Sequence, residues 1–355
     1  MIPTGATIGI LGGGQLGRMI AMAAAQLGYR CHVFAPEKDS VAAEVSADFT
    51  CASWHDQAAL SGFAQDCAVI TYEFENVPVA PLAAIPDGRL ISGRRALEVA
   101  QDRLAEKRFV AELGGRPAPY AAVDGGAADG EAELREAVER VGLPGILKTR
   151  RDGYDGKGQW RVASLREIDG LRIPRSGLVF EGLVRFEAEF SVILARRADG
   201  VIAFWDSAQN VHQGGILARS FLPPSQAVLD QVDEARALSR KVADALGYVG
   251  VMALEFFATA DGPVFNEMAP RVHNSGHWTI EGAVTSQFEN HVRAICGLPL
   301  GDTSTVGGQV EMRNLIGDEA ADVAGLLGDP QAHLHLYGKA EARPGRKMGH
   351  VTRIG

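Results

Sequence analysis

Thr7-Ile8-Gly9-Ile10-Leu11 runs directly into Gly12-Gly13-Gly14-Gln15-Leu16-Gly17. A short apolar run closed by glycines reads as a buried strand ending in a tight turn. A helical pattern follows as far as Leu27, where Gly28 stops it. Residues 31–35 are apolar again, and residues 68–72 form a further apolar run leading into Glu73-Phe74-Glu75-Asn76. Strand, loop, helix and strand in that order build a parallel sheet. The expectation is an α/β protein whose first parallel-sheet domain covers residues 1–95.

The rest of the chain is longer than one such domain. At 355 residues it suggests about two to three domains. Residues 96–113 read as one helix stopped by Gly114-Gly115, and residues 131–141 as another. Residues 145–149 form a strand ending at Lys148-Thr149. Gly153-Tyr154-Asp155-Gly156-Lys157-Gly158-Gln159 then reads as a hairpin tip, since such a density of glycine does not pack as a regular element. Strands are expected over 179–184 and 188–196, an amphipathic helix over 227–246, and a helix over 281–296. Two strands, 250–258 and 263–268, flank a turn at Ala260-Asp261-Gly262. The divisions expected are 1–95, a small central domain over 96–185, a C-terminal domain over 186–297, and a β-rich tail over 298–355.

Composition narrows the function. Lys plus Arg is 35 and Asp plus Glu is 44, so 35 − 44 gives −9. That balance disfavours general binding to nucleic acid or anionic membrane. No apolar run approaches the roughly 20 residues that span a bilayer. No basic segment opens the chain as in a secretory signal. Four cysteines without CxxC spacing argue against a zinc site or a disulfide framework. The cytoplasm is the expected location.

Five clusters carry chemistry. Gly12-x-Gly14-x-x-Gly17, with Glu37 about 20 residues on, fits a dinucleotide-binding turn and keeps a nicotinamide oxidoreductase open. Glu255 and Glu267 fall opposite each other in a hairpin centred on Asp261. Two opposed carboxylates in apolar strands share a proton or hold a cation, and with Asn266 beside them the cation expected is Mg²⁺. The alternative is a bulge that shifts the register and leaves each Glu to an Arg. Lys148 and the glycine-rich tip suit a polyphosphate. Pro270-Arg271-Val272-His273-Asn274-Ser275-Gly276-His277-Trp278-Thr279 follows Glu267 closely and suits an anionic, hydroxyl-rich substrate. His273 and His277 are four apart, but Asn-Ser-Gly between them favours a loop over a zinc-binding helix. Lys339, Arg343, Arg346 and Lys347 add forked and point cations for phosphate.

Taken together these motifs resemble the ATP-grasp superfamily and, within it, the N5-carboxyaminoimidazole ribonucleotide synthase family of purine biosynthesis. The resemblance rests on residues 12–19, Thr71-Tyr72-Glu73-Phe74-Glu75-Asn76-Val77, Gln101-Asp102-Arg103, residues 153–159, residues 270–279 and residues 343–350. It covers nearly the whole chain. One departure is the run Trp205-Asp206-Ser207-Ala208-Gln209, where the family often carries an aromatic-Pro pair and a Glu.

The resemblance implies a pre-ATP-grasp domain, a small lid domain, an ATP-grasp domain and a tail. It implies ATP-dependent carboxylation of aminoimidazole ribonucleotide with bicarbonate, through carboxyphosphate. Arg103, Lys148, Gly153, Tyr154, Asp155, Gly156, Lys157, Gly158 and Gln159 would surround ATP. Glu181, Gly182, Leu183 and Val184 would form the adenine hinge, Glu189 would hold the ribose, and His212, Asn266 and Glu267 would border the nucleotide. Glu255 and Glu267 would carry Mg²⁺. Arg271, His273 and Lys339 would handle bicarbonate and carboxyphosphate, with Asp155 at the substrate amine. Asn274, Ser275, Gly276, Arg346 and Lys347 would bind the ribonucleotide, and Gln15 and Glu73 would line the same cleft. The glycine loop would then face the ribonucleotide phosphate and not NAD. A homodimer and hand-off to a downstream mutase are further implications. The alternatives are another ATP-grasp ligase or transformylase, the nicotinamide enzyme, and a non-catalytic ATP-binding regulator.

Overall fold

The structure is a computed structural model that describes residues 1–124, 130–153, 158–169, 171, 174 and 176–355. The opening stretch folds as its pattern dictates. β1 (Thr7–Leu11), β2 (Arg30–Ala35), β3 (Asp48–Cys51) and β4 (Val69–Tyr72) form a parallel sheet in the order β3-β2-β1-β4. α1 (Gln15–Gln26) and α2 (Gln57–Asp66) cross between strands. Leu11, Phe34, Phe63 and Ile70 are buried in its core.

The single helix expected over 96–113 is two: α3 (Arg94–Ala100) and α4 (Arg103–Glu112). Asp102 makes the break. Its carboxylate caps α4 by accepting from Leu104 N and Ala105 N, at 3.0 and 3.3 Å, in place of a helical continuation. The same carboxylate pairs with Arg150 and Arg151. The start of α4 is thereby tied to the glycine-rich segment.

A small antiparallel sheet follows, in the order β5-β8-β6-β7: β5 (Tyr120–Val123), β6 (Gly145–Thr149), β7 (Gln159–Val162) and β8 (Leu178–Gly182). α5 (Gly130–Val141) covers it. Leu134, Val138, Leu147 and Phe180 make a core of its own, separate from the two larger clusters. The strand expected over 179–184 ends at Gly182.

The remaining strands join one nine-stranded sheet. β9 (Ala188–Arg196), β11 (Gln209–Gln213) and β12 (Ile216–Leu222) sit centrally, with β10 (Ile202–Phe204) beside β9. β13 (Gly250–Thr259) and β14 (Gly262–Ala269) form one edge. β15 (Val310–Ile316), β16 (Ala332–Leu336) and β17 (Lys347–Ile354) extend the other, so the tail continues this sheet. Two further helices are interrupted: 227–246 as α6 (Gln226–Leu229) and α7 (Val232–Ala245), and 281–296 as α8 (Thr279–Gly282) and α9 (Gln287–Ile295). Ser286 starts α9 afresh by accepting from Glu289 N at 3.1 Å. Phe190, Met252 and Phe256 share one core cluster with Phe34 and Ile70, so the parallel sheet and the large sheet bury a common interior.

Candidate active site

The β13–β14 hairpin places Glu255 directly opposite Glu267. Its turn sets Thr259 against Gly262 and Phe256 against Phe265, a register that would put Glu255 against Asn266. A bulge at Asn266 adds one residue and brings the carboxylates face to face. The bulge therefore creates the opposition. Burial and the charge of Glu267 push the Glu255 carboxyl up to about 7. One basic group stands beside each acid. Arg103 Nη1 is 3.2 Å from Glu267 Oε2, and His273 Nε2 is 3.5 Å from Glu255 Oε1.

This pair stands in the wall between two cavities of about 710 and 220 Å³. Arg103, Glu255, Glu267, His273, Asn274 and Lys347 line both. The smaller adds Lys148, Gln159, Glu189, His212 and Asn266. The larger adds Gln15, Glu73, Gly153, Arg271, Lys339 and Arg346. Residues expected around a nucleotide and residues expected around a second substrate thus meet across the two glutamates.

Electrostatics divides the two sides. On the smaller side Lys148 Nζ bonds Glu181 Oε2 at 2.9 Å, and burial lowers the Lys148 ammonium despite that partner. Burial would lower His212, but its bond to Glu189 and the field of Glu255 raise it. On the larger side Arg271 is clamped by Glu75, with Nη2 to Oε1 at 2.8 Å and a second contact from Nε. Lys339 Nζ donates to the Lys347 carbonyl at 2.7 Å, and Arg346 Nη1 to the Glu341 carbonyl at 3.0 Å. Arg103 also donates to the Gly153 carbonyl at 2.9 Å.

Several expected residues lie elsewhere. Ser275 and Gly276 are buried behind Asn274 and line neither cavity. Ser275 bonds His273 and Ser191, while a Cβ on Gly276 would meet Ile193 and Gln287. Glu181, Gly182, Leu183 and Val184 lie at and just beyond the end of β8 and line neither cavity. Gly158 contributes a turn with φ +68°, where a Cβ would strike Thr149. Tyr154, Asp155, Gly156 and Lys157 lie outside the described residues. His277 is fully buried among Phe288, Tyr337 and His350 and does not share a ligand site with His273.

The glycine-rich loop reads differently in three dimensions. Its anion is supplied by the chain itself. Glu73 Oε1 accepts from Gly14 N at 2.8 Å and Oε2 from Gly17 N at 3.2 Å. A Cβ on Gly12 would lie 2.6 Å from Glu73 Oε1. These amides are therefore already spent on a carboxylate and not offered to a dinucleotide or a ribonucleotide phosphate. Glu37 is exposed. The nicotinamide alternative loses the support of the Gly14 and Gly17 amides.

Two residues escaped the sequence reading. Lys107 is fully buried, 3.2 Å from Glu181 Oε1, so one carboxylate takes two lysines. Glu106 accepts from Met268 N, and burial pushes its carboxyl up to about 8. Both stand three or four residues after Arg103, on one face of α4. That spacing was the available signal.

An acidic hairpin, a lysine-bearing small sheet and a shared cavity define the ATP-grasp class. Residues 109–288 match the ATP-grasp domain family, 5–101 the ribonucleotide synthetase preATP-grasp domain, and 311–355 the phosphoribosylaminoimidazole carboxylase C-terminal domain. The N5-carboxyaminoimidazole ribonucleotide synthase of Brucella melitensis biotype 1 is 49% identical over 99% of this chain and 96% of its own. The crystal structure of the synthetase from Thermus thermophilus is 46% identical, with a TM-score of 0.89 over 98% of this chain and 93% of that one. A synthase from Aspergillus clavatus, in complex with ADP and 5-aminoimidazole ribonucleotide, is 29% identical with a TM-score of 0.88 over 99% and 94%. This chain belongs to the N5-carboxyaminoimidazole ribonucleotide synthase family.

Proposed function

We propose that the chain uses ATP and bicarbonate to carboxylate the 5-amino group of aminoimidazole ribonucleotide, releasing ADP and phosphate. The observation that carries this reading is the Glu255–Glu267 pair, set between a smaller cavity that holds Lys148 and Arg103 and a larger one lined with cations. The ATP phosphates enter the smaller cavity towards Lys148 and Arg103, with the ribose towards Glu189 and the adenine reaching past the cavity lining to residues 181–184. A bicarbonate oxygen attacks the γ-phosphorus and the bond to ADP breaks. Carboxyphosphate then parts into CO₂ and phosphate, and the substrate amine attacks CO₂ with loss of one proton. Phosphoryl transfer of this kind needs positioning and charge neutralisation more than covalent help.

Arg271, fixed by Glu75, presents the rest of its guanidinium to carboxyphosphate, together with His273 and Lys339. Gln15, Glu73, Asn274, Arg346 and Lys347 hold the ribonucleotide in the larger cavity. Gln15 and Asn274 suit its hydroxyls, and Arg346 and Lys347 its phosphate. Glu73 shapes that wall while holding the glycine loop.

Mg²⁺ fits Glu255 and Glu267. Two opposed carboxylates, one of them forced towards neutrality, lack enough positive charge. No cluster of three or more His, Cys, Asp or Glu able to hold a metal occurs among the described residues, so phosphate oxygens and water would complete the shell. Bound there, Mg²⁺ supplies charge neutralisation at the transferring phosphoryl group. No helix among the described residues is long and apolar enough to cross a membrane. The reading includes a cytoplasmic homodimer that delivers its product to a downstream mutase.

The test is phosphate release from Mg-ATP and bicarbonate, with and without aminoimidazole ribonucleotide, for the wild type and Glu267→Gln. Release that rises with the ribonucleotide and collapses in the variant supports the reading. Release indifferent to the ribonucleotide overturns the substrate assignment.

A further inference from the structure

β14 is the edge strand of the large sheet, so one row of its backbone groups has no strand to pair with. Around Glu267 that row is held by a helix. Met268 N donates to Glu106 Oε1 at 2.6 Å, and Lys107 Nζ donates to the Asn266 carbonyl at 3.4 Å. Arg103 Nη1 reaches the Glu267 carboxylate itself at 3.2 Å. Arg103, Glu106 and Lys107 stand at i, i+3 and i+4 on one face of α4. Asn266, Glu267 and Met268 are thus each tied to the same face of one helix. That helix is itself fixed, by the Asp102 cap at its start and by Glu181 of β8, 3.2 Å from Lys107 Nζ.

The tie falls where the strand is under electrostatic load. Asn266 is the residue that the bulge leaves out of the ladder, so pairing with β13 does not fix the backbone there. Like charges directly opposite each other in a sheet repel, and the register without the bulge would set Glu255 against the neutral Asn266. A register with less repulsion therefore lies one residue away. Reaching it means taking Met268 N from Glu106 and leaving a buried donor without its partner. Glu106 and Met268 are 2% and 5% exposed, so bulk water is a poor substitute.

We propose that Glu106 is a positioning residue: its bond to the Met268 amide, with Lys107 at the Asn266 carbonyl, locks the bulge and holds Glu267 opposite Glu255 before any cation arrives. Glu106 acts through the strand and not on a substrate. It reaches the lining of the larger cavity, but Oε1 is already committed to the main chain. A site held in this way does not have to bring two carboxylates together at the moment of binding. That Glu267 holds Mg²⁺ rests on the proposed function; the lock on the strand does not.

Hydrogen exchange of the full, ligand-free chain, resolved to single amides by fragmentation in the mass spectrometer, tests the lock directly. The Met268 amide should exchange slowly in the wild type, and fast exchange there overturns the proposal without any variant. Glu106→Ala should speed that exchange roughly tenfold, the worth of one buried hydrogen bond, and Glu106→Gln, which keeps an acceptor oxygen, should restore it. Calorimetric titration with ADP, in Mg²⁺ and in EDTA, separates positioning from general weakening. Glu106→Ala should bind ADP about tenfold more weakly with Mg²⁺ and as the wild type does without it, while Glu106→Gln should match the wild type in both. Equal losses with and without Mg²⁺ overturn the proposal, as does wild-type protection of Met268 in Glu106→Ala. A Glu106→Gln chain that keeps the protection yet loses the Mg²⁺ effect overturns it too, since the carboxylate would then act directly. Glu267→Gln is the control for the metal. If it abolishes the Mg²⁺ effect and Glu106→Ala does not weaken it, the positioning role falls. If Glu267→Gln leaves the effect intact, the metal assignment falls and the exchange data alone decide the lock.

Discussion

Glu73 Oε1 accepts the Gly14 amide at 2.8 Å, and this bond turns a phosphate-binding loop into an internal joint. Glu73→Gln replaces one acceptor oxygen by an NH₂ group that faces the Gly17 or Gly14 N–H. The expected loss is ~1–3 kcal/mol, the cost of leaving a buried donor unpaired. Gly12→Ala should also destabilise, because φ is +113° and the added carbon meets Glu73. Urea unfolding of both variants checks this; wild-type midpoints would rule out the joint.

Arg103 bridges Glu267 and the Gly153 carbonyl. Arg103→Lys keeps the charge but cannot span both partners with one planar fork. We expect kcat/KM for ATP to fall by about 10²-fold, as misplacement of a reacting group does. Initial rates over a range of ATP concentrations decide it. A change below a few fold would show that the bridge does not position the nucleotide.

Glu255 should weaken the ligand-free fold as pH rises. Its folded carboxyl titrates at about 7 against an ordinary 4.5. Between those values the folded state binds more protons than the unfolded, so stability falls with rising pH. Glu255→Gln removes that loss. At pH 8 the variant should be more stable than the wild type by on the order of 1–3 kcal/mol, yet gain less from Mg-ADP. Thermal melts with and without Mg-ADP measure both effects.

His291 acts in the opposite direction. Burial lowers its imidazole from 6.5 to about 4. Val251 N donates to Nδ1 at 3.0 Å and Thr71 Oγ1 lies 2.9 Å from Nε2, so the neutral ring is satisfied on both sides. Between pH 6.5 and 4 the unfolded chain binds the proton and the folded one does not. Stability is whole above 6.5 and drains as pH falls, by on the order of 3 kcal/mol from this group. His277 and His350, buried and held well below 6.5, add to it. Urea midpoints at about pH 7 and about pH 5 for wild type and His291→Gln should show a smaller acid loss in the variant.

The parallel sheet, the acidic hairpin and the two basic clusters were legible because each is local: period, glycine punctuation and charge lie within a few residues. What escaped depends on distant partners. Nothing near Gly14 says that Glu73 will fill the loop, since the two are joined only when β4 pairs with β1. The break between α3 and α4 follows from a cap at Asp102 whose other partners, Arg150 and Arg151, lie in a later segment. Ser275 reads as a ligand in sequence because serine in a polar loop suits a phosphate. Its neighbours on β9 instead draw it inward. The bulge at Asn266 adds the one residue by which the turn falls short, so the expected opposition of Glu255 and Glu267 holds with the turn centred half a residue earlier.

The wall shared by the two cavities has a kinetic meaning. Beyond the six residues that line both, each chamber has lining residues of its own, and we expect that filling one leaves the other open. Loading has no compulsory order imposed by geometry, and nothing covalent must remain on the protein between the two arrivals. Initial-rate lines for varied ATP at several fixed ribonucleotide concentrations should intersect and not run parallel, and ADP and the carboxylated product should each compete only with the ligand of its own chamber.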